Sequence, residues 1–576
     1  MGKPTAKRRN RASARCCERH GVNCNNEKIN QVGKCTALPY CHVKGCEMPV
    51  PQFPNVKKTV YYLQRNGFLN TWKAAMERLE QAKGRPYSWR PLSPLEWQAG
   101  RDHSLERIRE AKEEGKSAPT FTVLVPAYRT APRFLRELAE SVQAQTYPLW
   151  ELLILDASED DGVKNSLREF CRAGEIPFAE EEPTKKDLSA PANDGETDPG
   201  EWQSGAIRYV KLPGNGGISE NTNAGLPLVR GDYIGLLDHD DVLTADALQC
   251  MAFTILESRG SGGDIPRLLY SDEDKWNGEE NGYYEPNFKE DLNLDLLLSN
   301  NYICHFLVLE RKLFLELKLR KEYDGAQDYD LVLRAVERIG KESGIRHIPR
   351  ILYHWRCHRG STAENPRSKT YAYEAGRRAL QDYADRQGLR ARAEHLKHVG
   401  FYRLEYLKEG SLETQGDPLT AAPLPAVLDQ RPDLGAVGGR VTAGKRYRPS
   451  PKEKARYRGI TVQRGSLVGG RMDSEGKVYY YGLKSGYSGY LHRAVLTQDA
   501  EAVDIRCICV LPEYRKLFEE VTGISYVTRP GSEWFDSSAI PADADVAELS
   551  LRFGRALRQR GKRILWDPEA GEGSEV

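Results

Sequence analysis

Four short and mostly apolar runs constrain this chain more than any other feature. They lie at 121–128 (FTVLVPAY), 152–156 (LLILD), 207–212 (IRYVKL) and 232–238 (DYIGLLD). Runs of this length and composition are typical of strands that are buried on both faces, and the amphipathic stretch after the first run is typical of a helix. Strands that alternate with helices predict an α/β fold with a mostly parallel sheet covered on both sides.

Length and charge narrow the class of protein. A chain of 576 residues exceeds what one hydrophobic core usually supports, so we expect two or three domains. No run approaches the roughly 18 to 20 apolar residues that cross a bilayer, and no apolar segment typical of a secretory signal follows the basic N-terminus. The net charge of +2 argues against a nucleic-acid partner. These features predict a cytoplasmic protein, with peripheral contact at the inner face of the membrane as an open alternative.

The first 55 residues differ in composition from the rest of the chain. Residues 1–19 hold seven Lys or Arg and one Glu, and six of the twelve cysteines lie between Cys16 and Cys46. Two histidines in the same stretch raise the alternative of a zinc site. However, the stretch has no CxxC pair, which is the spacing that usually holds zinc. The composition therefore predicts a basic, Cys-rich and poorly ordered tail over 1–55.

Changes in pattern divide the remaining chain. Residues 56–117 alternate charged and apolar stretches, which predicts a helical lead-in, and residues 118–400 carry the strand and helix pattern of the main domain. Within that domain, residues 173–204 hold nine acidic and two basic residues. Such a segment buries too little apolar surface to offset its ordering entropy, so we expect a flexible acidic insertion. A Pro-, Gly- and Ala-rich linker is predicted over 401–435, followed by a smaller α/β region over 436–576.

Asp238 and Asp240 directly follow the fourth apolar run. In an extended chain, residues i and i+2 project to the same side, so the two carboxylates can converge at the carboxyl end of a buried strand. Ligands of α/β sheets bind at that edge. Two carboxylates there suit a hard divalent cation, Mg²⁺ or Mn²⁺, with diphosphate oxygens and water completing its shell. The alternative is a solvated acidic turn, which is common after strands.

Other strand ends carry groups that suit a nucleotide. The first run ends in Pro126 and Tyr128, which offer a rigid turn and an aromatic face for a base. The second run ends in Asp156, which can accept hydrogen bonds from a base or a ribose. A Gly-rich turn at 214–217 precedes a helix that contains Asn223. The carboxyl ends of parallel strands meet at one edge, so these groups predict a nucleotide-binding rim.

Five motifs carry a resemblance to a known family. They are NGGISENTNAGLPLVRGDYIGLLDHDD (215–241), YSDEDKW (270–276), NYICH (301–305), YDGAQDYDLVLR (323–334) and YHWRCHRGSTA (353–363). In this order they resemble the bacterial family 2 glycosyltransferases, and most closely the members that build O-antigen or other cell-surface polysaccharides. The resemblance covers roughly 280 residues. It implies a GT-A fold over 118–400.

The resemblance also implies an activity. Members transfer a sugar from a UDP- or dTDP-linked donor to a hydroxyl of a glycan or lipid-linked glycan, with inversion and with Mn²⁺ or Mg²⁺. By match to the motifs, Asp238 and Asp240 bind the metal. The nucleotide sugar is bordered by Pro126, Tyr128, Asp156, Asn223 and Asp238.

Asp328 matches the catalytic carboxylate of the family. The usual Glu-Asp pair is Gln327-Asp328 here, so the preceding acid is absent and the matching base remains. An inverting displacement needs a base close to the attacking hydroxyl, and the start of a helix favours an ionised carboxylate. A helix N-cap is the alternative role for Asp328, and Asp330 is the reserve candidate for the base.

Two further groups of residues have open roles. His358 matches a position where many relatives place a metal-binding histidine, and His354, one helical turn earlier, competes with it. Asp272, Glu273 and Asp274 are expected to face the donor sugar or the acceptor. Three consecutive acids are also compatible with a solvated turn.

The C-terminal region faintly resembles the acceptor half of a second family 2 module. In that register a second base would fall near Val546, or at Asp545 if the register is off by one. No second DxD motif precedes it, so the resemblance implies a degenerate half-module that serves packing, assembly or acceptor binding.

Two other functions compete with a transferase. A sugar nucleotidylyltransferase is expected to carry a Gly-rich loop with Arg or Lys after its first strand, whereas VPAYRTAPRF has no glycine. A non-catalytic sugar-binding or scaffold protein derived from a transferase is compatible with the degenerate C-terminal region. It would have no reason to keep Asp238, Asp240 and Asp328 together.

Overall fold

The computed structural model describes residues 56–81, 87–181, 202–279, 281–358, 370–408, 425–570 and 574–576. Contacts divide the chain into one unit over Met1–Glu47 and a second over Met48–Val576, and the second unit contains everything described below. The predicted Cys-rich tail over 1–55 therefore lies outside the described residues.

Helices and strands alternate along most of the second unit. The helices are α1 (Val56–Gln81), α2 (Pro94–Glu113), α3 (Pro132–Gln143), α4 (Gly162–Gly174), α5 (Ile218–Gly225), α6 (Ala247–Gly260), α7 (Leu294–Leu297), α8 (Arg311–Leu317), α9 (Gln327–Ile339), α10 (Thr370–Arg386), α11 (Pro425–Gln430), α12 (Pro451–Arg456), α13 (Pro512–Thr522) and α14 (Val546–Arg558). The strands are β1 (Phe121–Ala127), β2 (Trp150–Asp156), β3 (Phe178–Glu181), β4 (Ala206–Lys211), β5 (Tyr233–Leu236), β6 (Val242–Leu243), β7 (Leu268–Trp276), β8 (Tyr283–Asn287), β9 (Leu307–Glu310), β10 (Ile345–Arg356), β11 (Ala391–His395), β12 (Tyr402–Tyr406), β13 (Leu434–Gly438), β14 (Val441–Thr442), β15 (Leu467–Gly469), β16 (Arg471–Met472), β17 (Gln498–Asp499), β18 (Ala502–Val503), β19 (Ile508–Val510), β20 (Arg563–Trp566) and β21 (Ser574–Glu575).

One large mixed sheet organises the main domain. Its strand order is β3-β4-β2-β1-β5-β9-β7-β10-β6, and β8 pairs with β7. The strands from β3 to β5 are parallel, whereas β9 runs antiparallel between β5 and β7. Ala127 is level with Asp156, and Leu124 is level with Leu236. The carboxyl ends of β1, β2 and β5 therefore meet at one edge, as the sequence predicts.

The central strands are apolar because both of their faces are covered. Every residue of β1 and of β2 is buried. Alternate side chains project to opposite faces: Val123 and Val125 pack in one core cluster with α3, α4 and α6, and Leu124 packs in another with α9 and α10. A helix layer on each face explains the continuous apolar runs.

The C-terminal region folds as a set of small sheets with helices. Its main sheet has the order β17-β20-β13-β19, in which β20 is parallel to β13 and the other pairs are antiparallel. Its own core contains Phe518, Phe535, Phe553 and Trp566. This arrangement agrees with the smaller α/β region that the sequence predicts.

Two segments expected to lack regular structure contain strands. The predicted linker over 401–435 begins with β12, which pairs antiparallel with β11 and buries its alternate residues Tyr402, Leu404 and Tyr406. The predicted insertion over 173–204 includes β3, an edge strand of the main sheet. Both predictions were wrong at these strands. The alternation in β12 is only five residues long, and β3 is a single edge strand within polar sequence, so neither was recognised. Residues 182–201 lie outside the described residues.

Buried ion pairs join the main domain to the C-terminal region. Arg431 donates to Asp295 (Nη1–Oδ1, 3.0 Å) and to Asp433 (Nε–Oδ1, 2.9 Å), and Arg563 also pairs with Asp295. A second pair joins Glu290 to Arg471 (Oε2–Nη2, 2.6 Å). Each charge is compensated, so these contacts fix how the two regions meet without leaving an unpaired buried ion.

We predict that Arg431→Met destabilises the chain by about 3–5 kcal/mol, because it leaves part of the charge of the buried Asp295 uncompensated. The measurement is the urea midpoint of unfolding. Arg552→Met is the matched control, since Arg552 forms an exposed pair with Glu548 and its loss should cost less than about 1 kcal/mol. Equal midpoints for the two variants would contradict the role of the Asp295 cluster.

Candidate active site

The turn after β5 presents two carboxylates and buries a third. Asp241 is 1% exposed and accepts hydrogen bonds from the main-chain N–H of Arg356 (2.7 Å) and from the hydroxyl of Tyr353. Burial, followed by the charges of Asp240 and Asp238, raises the pKa of Asp241 well above its ordinary value. Asp241 therefore anchors the turn, and Asp238 and Asp240 remain at the surface.

Arg356 holds the same turn from the other side. Its guanidinium lies between the rings of Phe134 (4.7 Å) and Trp276 (4.2 Å). It forms an ion pair with Glu137 (2.6 Å), and its Nε donates to the carbonyl of Asp240. The sequence motif contains this arginine, but its role was missed because its partners lie 80 to 222 positions away in the chain.

Asp240 and His358 are brought together. Nε2 of His358 lies 3.0 Å from Oδ2 of Asp240, and the imidazole packs near Phe134. His354, the competing candidate, is buried and bonds Asp274 instead. Of the two histidines, His358 is the one in contact with the aspartates that follow β5.

Strand alternation separates the three acids of β7. Glu273 hydrogen-bonds His305 on the side that faces Asp238. Asp272 accepts from the N–H of Lys289 (2.8 Å) and bonds His347 (2.9 Å). Asp274 accepts from the hydroxyl of Tyr87 (2.7 Å) and bonds His354. The structure thus connects only Glu273 of the three to the aspartate turn, because neighbouring residues of a strand project to opposite faces.

His305 links Glu273 to Asp238, and no site role for it followed from the sequence. Its Nδ1 lies 3.1 Å from Glu273 and its Nε2 lies 3.9 Å from Asp238, and its ring stacks on Tyr353. Burial lowers the pKa of His305, but the hydrogen bond and charge of Glu273, with the charges of Asp238 and Asp241, raise it to about 9 overall. The imidazole is therefore mostly protonated at neutral pH.

The buried side chain of Lys289 contacts Glu273 from the interior of the domain. Its buried Nζ donates to the carbonyl of Ile303 (2.9 Å) and lies 3.4 Å from Glu273. Burial raises the pKa of Glu273, whereas Lys289 and His305 lower it, to about 2 overall. Glu273 therefore stays ionised. Glu273 occupies the Nδ1 side of His305, so Nε2 of the ring faces Asp238.

Asp328 lies in the first turn of α9. Its Oδ2 accepts from Nδ2 of Asn301 (3.0 Å). Burial is the main cause that raises the pKa of Asp238; the charge of His305 lowers it, and the charges of Asp240 and, least of all, Asp328 raise it. The N-cap of α9 is Ala326, so Asp328 does not fill the alternative capping role.

Asp330, the reserve candidate for the base, has a structural role. It is fully buried and forms ion pairs with Arg320 and with Arg334 (Oδ2–Nη2, 2.7 Å). Its carboxylate is therefore neutralised by two guanidinium groups inside the fold. This leaves Asp328 as the carboxylate of the motif that is a candidate for the base.

The residues predicted to border the nucleotide lie at the ends of β1 and β2 or near them. Pro126 is buried in β1, and the half-buried Tyr128 donates to Glu159 (3.1 Å). Asp156 is fully buried and accepts from Tyr209 (2.7 Å). Asn223 binds both main-chain groups of Leu319. The amide of Asn223 is thus engaged within the protein.

The donor set fits a divalent cation in part. Asp238 and Asp240 offer carboxylate oxygens and His358 offers an imidazole nitrogen, which are ligands that Mn²⁺ accepts. Among the residues that the structure describes, no group of three or more His, Cys, Asp or Glu side chains is arranged to hold a metal ion alone. A cation here would need further oxygens from a ligand or from water.

Comparison with known proteins identifies the main domain. Residues 122–318 match the model of the family described as glycosyl transferase family 2. The chain carries a glycosyl transferase family 2 domain. Its central sheet and this match confirm the predicted GT-A fold.

Two curated relatives are similar in sequence to part of this chain. "Uncharacterized protein y4gI" of Sinorhizobium fredii is 35% identical over 292 residues, which are 50% of this chain and 28% of the relative. "O-antigen biosynthesis protein RfbC" of Myxococcus xanthus is 31% identical over 342 residues, which are 59% of this chain and 23% of the relative. The chain thus spans about a quarter of the length of these curated relatives.

Solved structures are also similar to part of this chain, with low TM-scores. The structure of TarS 1-349 of S. aureus in complex with UDP is 17% identical with a TM-score of 0.31, covering 46% of this chain and 65% of that chain. The mannosyltransferase PcManGT of Pyrobaculum calidifontis in complex with GDP-Man and Mn²⁺ is 14% identical with a TM-score of 0.28, covering 51% and 84%.

Two observations concern the remainder of the chain. Asp545, where the C-terminal register places a second base, is the N-cap of α14 and pairs with Lys452 (3.2 Å). Its carboxylate thus has a structural role, like that of an ordinary helix cap. Across the described ranges, no helix combines the length and apolar character that crossing a membrane requires.

We predict that Glu273→Gln lowers the pKa of His305 from about 9 toward the free value of about 6.5, because Glu273 supplies the main opposing interaction to burial. Since the folded pKa lies above the free value, the stabilisation by His305 is complete below pH 6.5 and is lost as pH rises through about 9. NMR titration of labelled histidines measures the pKa directly.

Glu374→Gln is the matched control for this titration. Glu374 of α10 lies 3.1 Å from His395 of β11, so its replacement removes a carboxylate beside a different histidine and should leave the pKa of His305 unaltered. An unchanged pKa of His305 in Glu273→Gln would show that the two side chains do not interact.

Proposed function

We propose that the family 2 domain is a metal-dependent, inverting glycosyltransferase that uses a nucleotide-diphosphate sugar and takes part in the assembly of cell-surface polysaccharide. The observation that carries the proposal is the contact between Asp240 and His358 beside Asp238. These metal-type donors at the end of β5, together with Asp328 in the matching motif, are the groups that a metal-dependent transferase requires.

The donor is proposed to bind along the edge formed by β1, β2 and β5. Tyr128 offers an aromatic face for the base, and the buried Asp156 fixes the end of β2 beside it through its bond to Tyr209. Structures of similar fold bind UDP, UDP-GlcNAc or GDP-Man according to their descriptions. A UDP- or dTDP-linked sugar, the donor class implied by the sequence motifs, is the one we propose.

Asp238, Asp240 and His358 are the residues that would hold Mn²⁺ or Mg²⁺. When bound, the cation neutralises charge on the departing diphosphate. Arg356 and Asp241 keep the turn in position, so little reorganisation is needed when the donor binds. The protonated His305 provides a further positive charge beside Asp238, which favours an anionic ligand there.

Asp328 is proposed as the general base. It takes the proton from the acceptor hydroxyl while the hydroxyl oxygen forms a bond to the anomeric carbon and the bond from that carbon to the diphosphate oxygen breaks. The electron pair leaves with the nucleoside diphosphate, and the configuration at the anomeric carbon inverts. The first turn of α9 favours the ionised form of Asp328.

The acceptor is proposed to be a glycan or lipid-linked glycan. The relatives include proteins described as O-antigen biosynthesis protein, chondroitin synthase and hyaluronan synthase. Because the chain covers only 23% of each of these relatives, their substrates indicate a class of product and no particular sugar.

We predict that Asp240→Asn abolishes metal-dependent binding and hydrolysis of nucleotide sugars, because the amide oxygen carries no charge for the cation. Calorimetry with UDP- and dTDP-sugars, with and without Mn²⁺, measures binding. Asp385→Asn, an exposed change on α10, is the control. If wild type binds no nucleotide sugar with metal present, the transferase proposal fails and a scaffold function replaces it.

We predict that Asp328→Asn lowers kcat by about 10²- to 10⁴-fold and leaves the affinity for the donor nearly unchanged, because a general base acts only in the chemical step. The readout is sugar transfer to a glycan acceptor, alongside donor binding by calorimetry. A variant with unaltered kcat would remove Asp328 from the base role, whereas loss of donor binding would assign it to the nucleotide site.

A further inference from the structure

Asp328, the proposed base, is held by neutral groups. Its Oδ2 accepts from Nδ2 of Asn301 (3.0 Å), and its carboxylate also hydrogen-bonds the thiol of Cys304. Within the described ranges, no Lys, Arg or His side chain forms an ion pair with Asp328. The other aspartate of the motif differs, because the buried Asp330 is neutralised by two guanidinium groups. Asp328 is therefore anchored without a cation.

Neutral donors suit a carboxylate that must take up a proton. A guanidinium in an ion pair strongly stabilises the ionised form of a carboxylate and so weakens it as a base. An amide donor fixes the direction of the carboxylate with a smaller stabilisation of its charge. A general base needs both the correct position and an affinity for protons that matches the reaction. The surroundings of Asp328 meet both requirements, whereas those of Asp330 do not.

The second donor, Cys304, is held in its protonated form. Burial raises the pKa of the Cys304 thiol well above its ordinary value, and the charge of Asp328 raises it further, whereas Lys289 and the amide of Asn301 lower it. The thiol is therefore protonated at neutral pH and can donate to the carboxylate. Both donors belong to one motif, NYICH (301–305).

Tyr302 fixes the segment that carries Asn301. Tyr302 is buried, and its hydroxyl accepts from the N–H of Asn293 (2.8 Å) and donates to the carbonyl of Asp291 (3.2 Å). Oδ1 of Asn301 has no hydrogen-bond partner among the described residues, so the side chain interacts through Nδ2. The amide of Asn301 thus approaches Asp328 from a position that the buried neighbour sets.

The same segment reaches the aspartate turn at its other end. His305 lies four residues after Asn301, and its Nε2 lies 3.9 Å from Asp238. Four Cα steps span at most about 15 Å. The segment therefore limits the separation between the group that holds Asp328 and the group that contacts the proposed metal-binding turn.

We propose that Asn301 is a positioning residue whose amide orients the carboxylate of Asp328 toward the acceptor hydroxyl. The inference rests on the proposed function, in which Asp328 is the base. Asn301 supplies the directed hydrogen bond, and Cys304 restricts the remaining movement of the carboxylate. Neither donor competes with the acceptor for the proton, because both are neutral.

The test is the pH profile of kcat for hydrolysis of a nucleotide sugar with Mn²⁺, measured with the UDP- or dTDP-sugar that wild type hydrolyses fastest. Asn301→Leu removes the donor and keeps a side chain of similar shape. We expect it to move the acid limb of the profile to higher pH by about 1 to 2 units, because the ionised base loses a hydrogen bond. Asn301→Asp should move the limb at least as far, since it adds a negative charge beside Asp328. The KM for the donor should stay unchanged in both variants.

Asn300→Leu is the matched control, because Oδ1 of Asn300 also lacks a partner among the described residues and the bond to Asp328 comes from Asn301. It should leave the acid limb in place. A second comparison repeats Asn301→Leu in the Asp328→Asn chain, where it should lower kcat no further, since the two residues act as a unit. Circular dichroism verifies folding, and Asn301→Asp carries the test if Asn301→Leu does not fold.

The proposal is overturned if the Asn301 variants keep the acid limb of wild type, or if Asn301→Leu lowers kcat equally in wild type and in Asp328→Asn. An Asp328→Asn chain as active as wild type would remove the base and with it the role of Asn301, while the transferase proposal would stand. A wild type that hydrolyses no nucleotide sugar would overturn the transferase proposal and this inference together.

Discussion

The bond between Asp241 and Arg356 is the contact on which the site depends. Three acids within four positions repel one another, and a turn that carried all three on its surface would be strained electrostatically. Asp241 is buried against the main chain of Arg356 and the hydroxyl of Tyr353, which reduces the repulsion among the three carboxylates. Since Tyr353 and Arg356 both belong to β10, the far side of the sheet sets the position of Asp238 and Asp240.

A series of ion pairs extends from this turn to the buried Lys289. His305 spans Asp238 and Glu273, and Lys289 balances Glu273 from the interior. The next residue, Glu290, pairs with Arg471 of the C-terminal region. Each charge in the series has a partner, which buried ions require. The candidate site and the contact between the two regions are thus connected by the peptide bond between Lys289 and Glu290.

The sequence predicted the strands, their shared edge and the carboxylates after β5 because these features are local. A buried strand reads as an apolar run, and a turn residue follows it directly. It also paired His358 with the metal candidates through a motif, and the contact with Asp240 is consistent with that prediction. The main misses were non-local. The role of His305 depends on Glu273, which lies 32 positions before it, and no local pattern reports such a contact.

Strand register explains why three acids of β7 could not be separated beforehand. A run of consecutive acids shows no preferred face, and the choice of Glu273 depends on which neighbours line each side of the sheet. The strand β12 was missed for a related reason, since its alternation is only five residues long. Contacts between distant segments decided both cases.

The adjacency of Lys289 and Glu290 has a mechanical consequence. Lys289 contacts Glu273 of the candidate site, and Glu290 pairs with Arg471 of the C-terminal region. A displacement of the main chain at these two residues would therefore move a partner of the candidate site and a partner of the C-terminal region together.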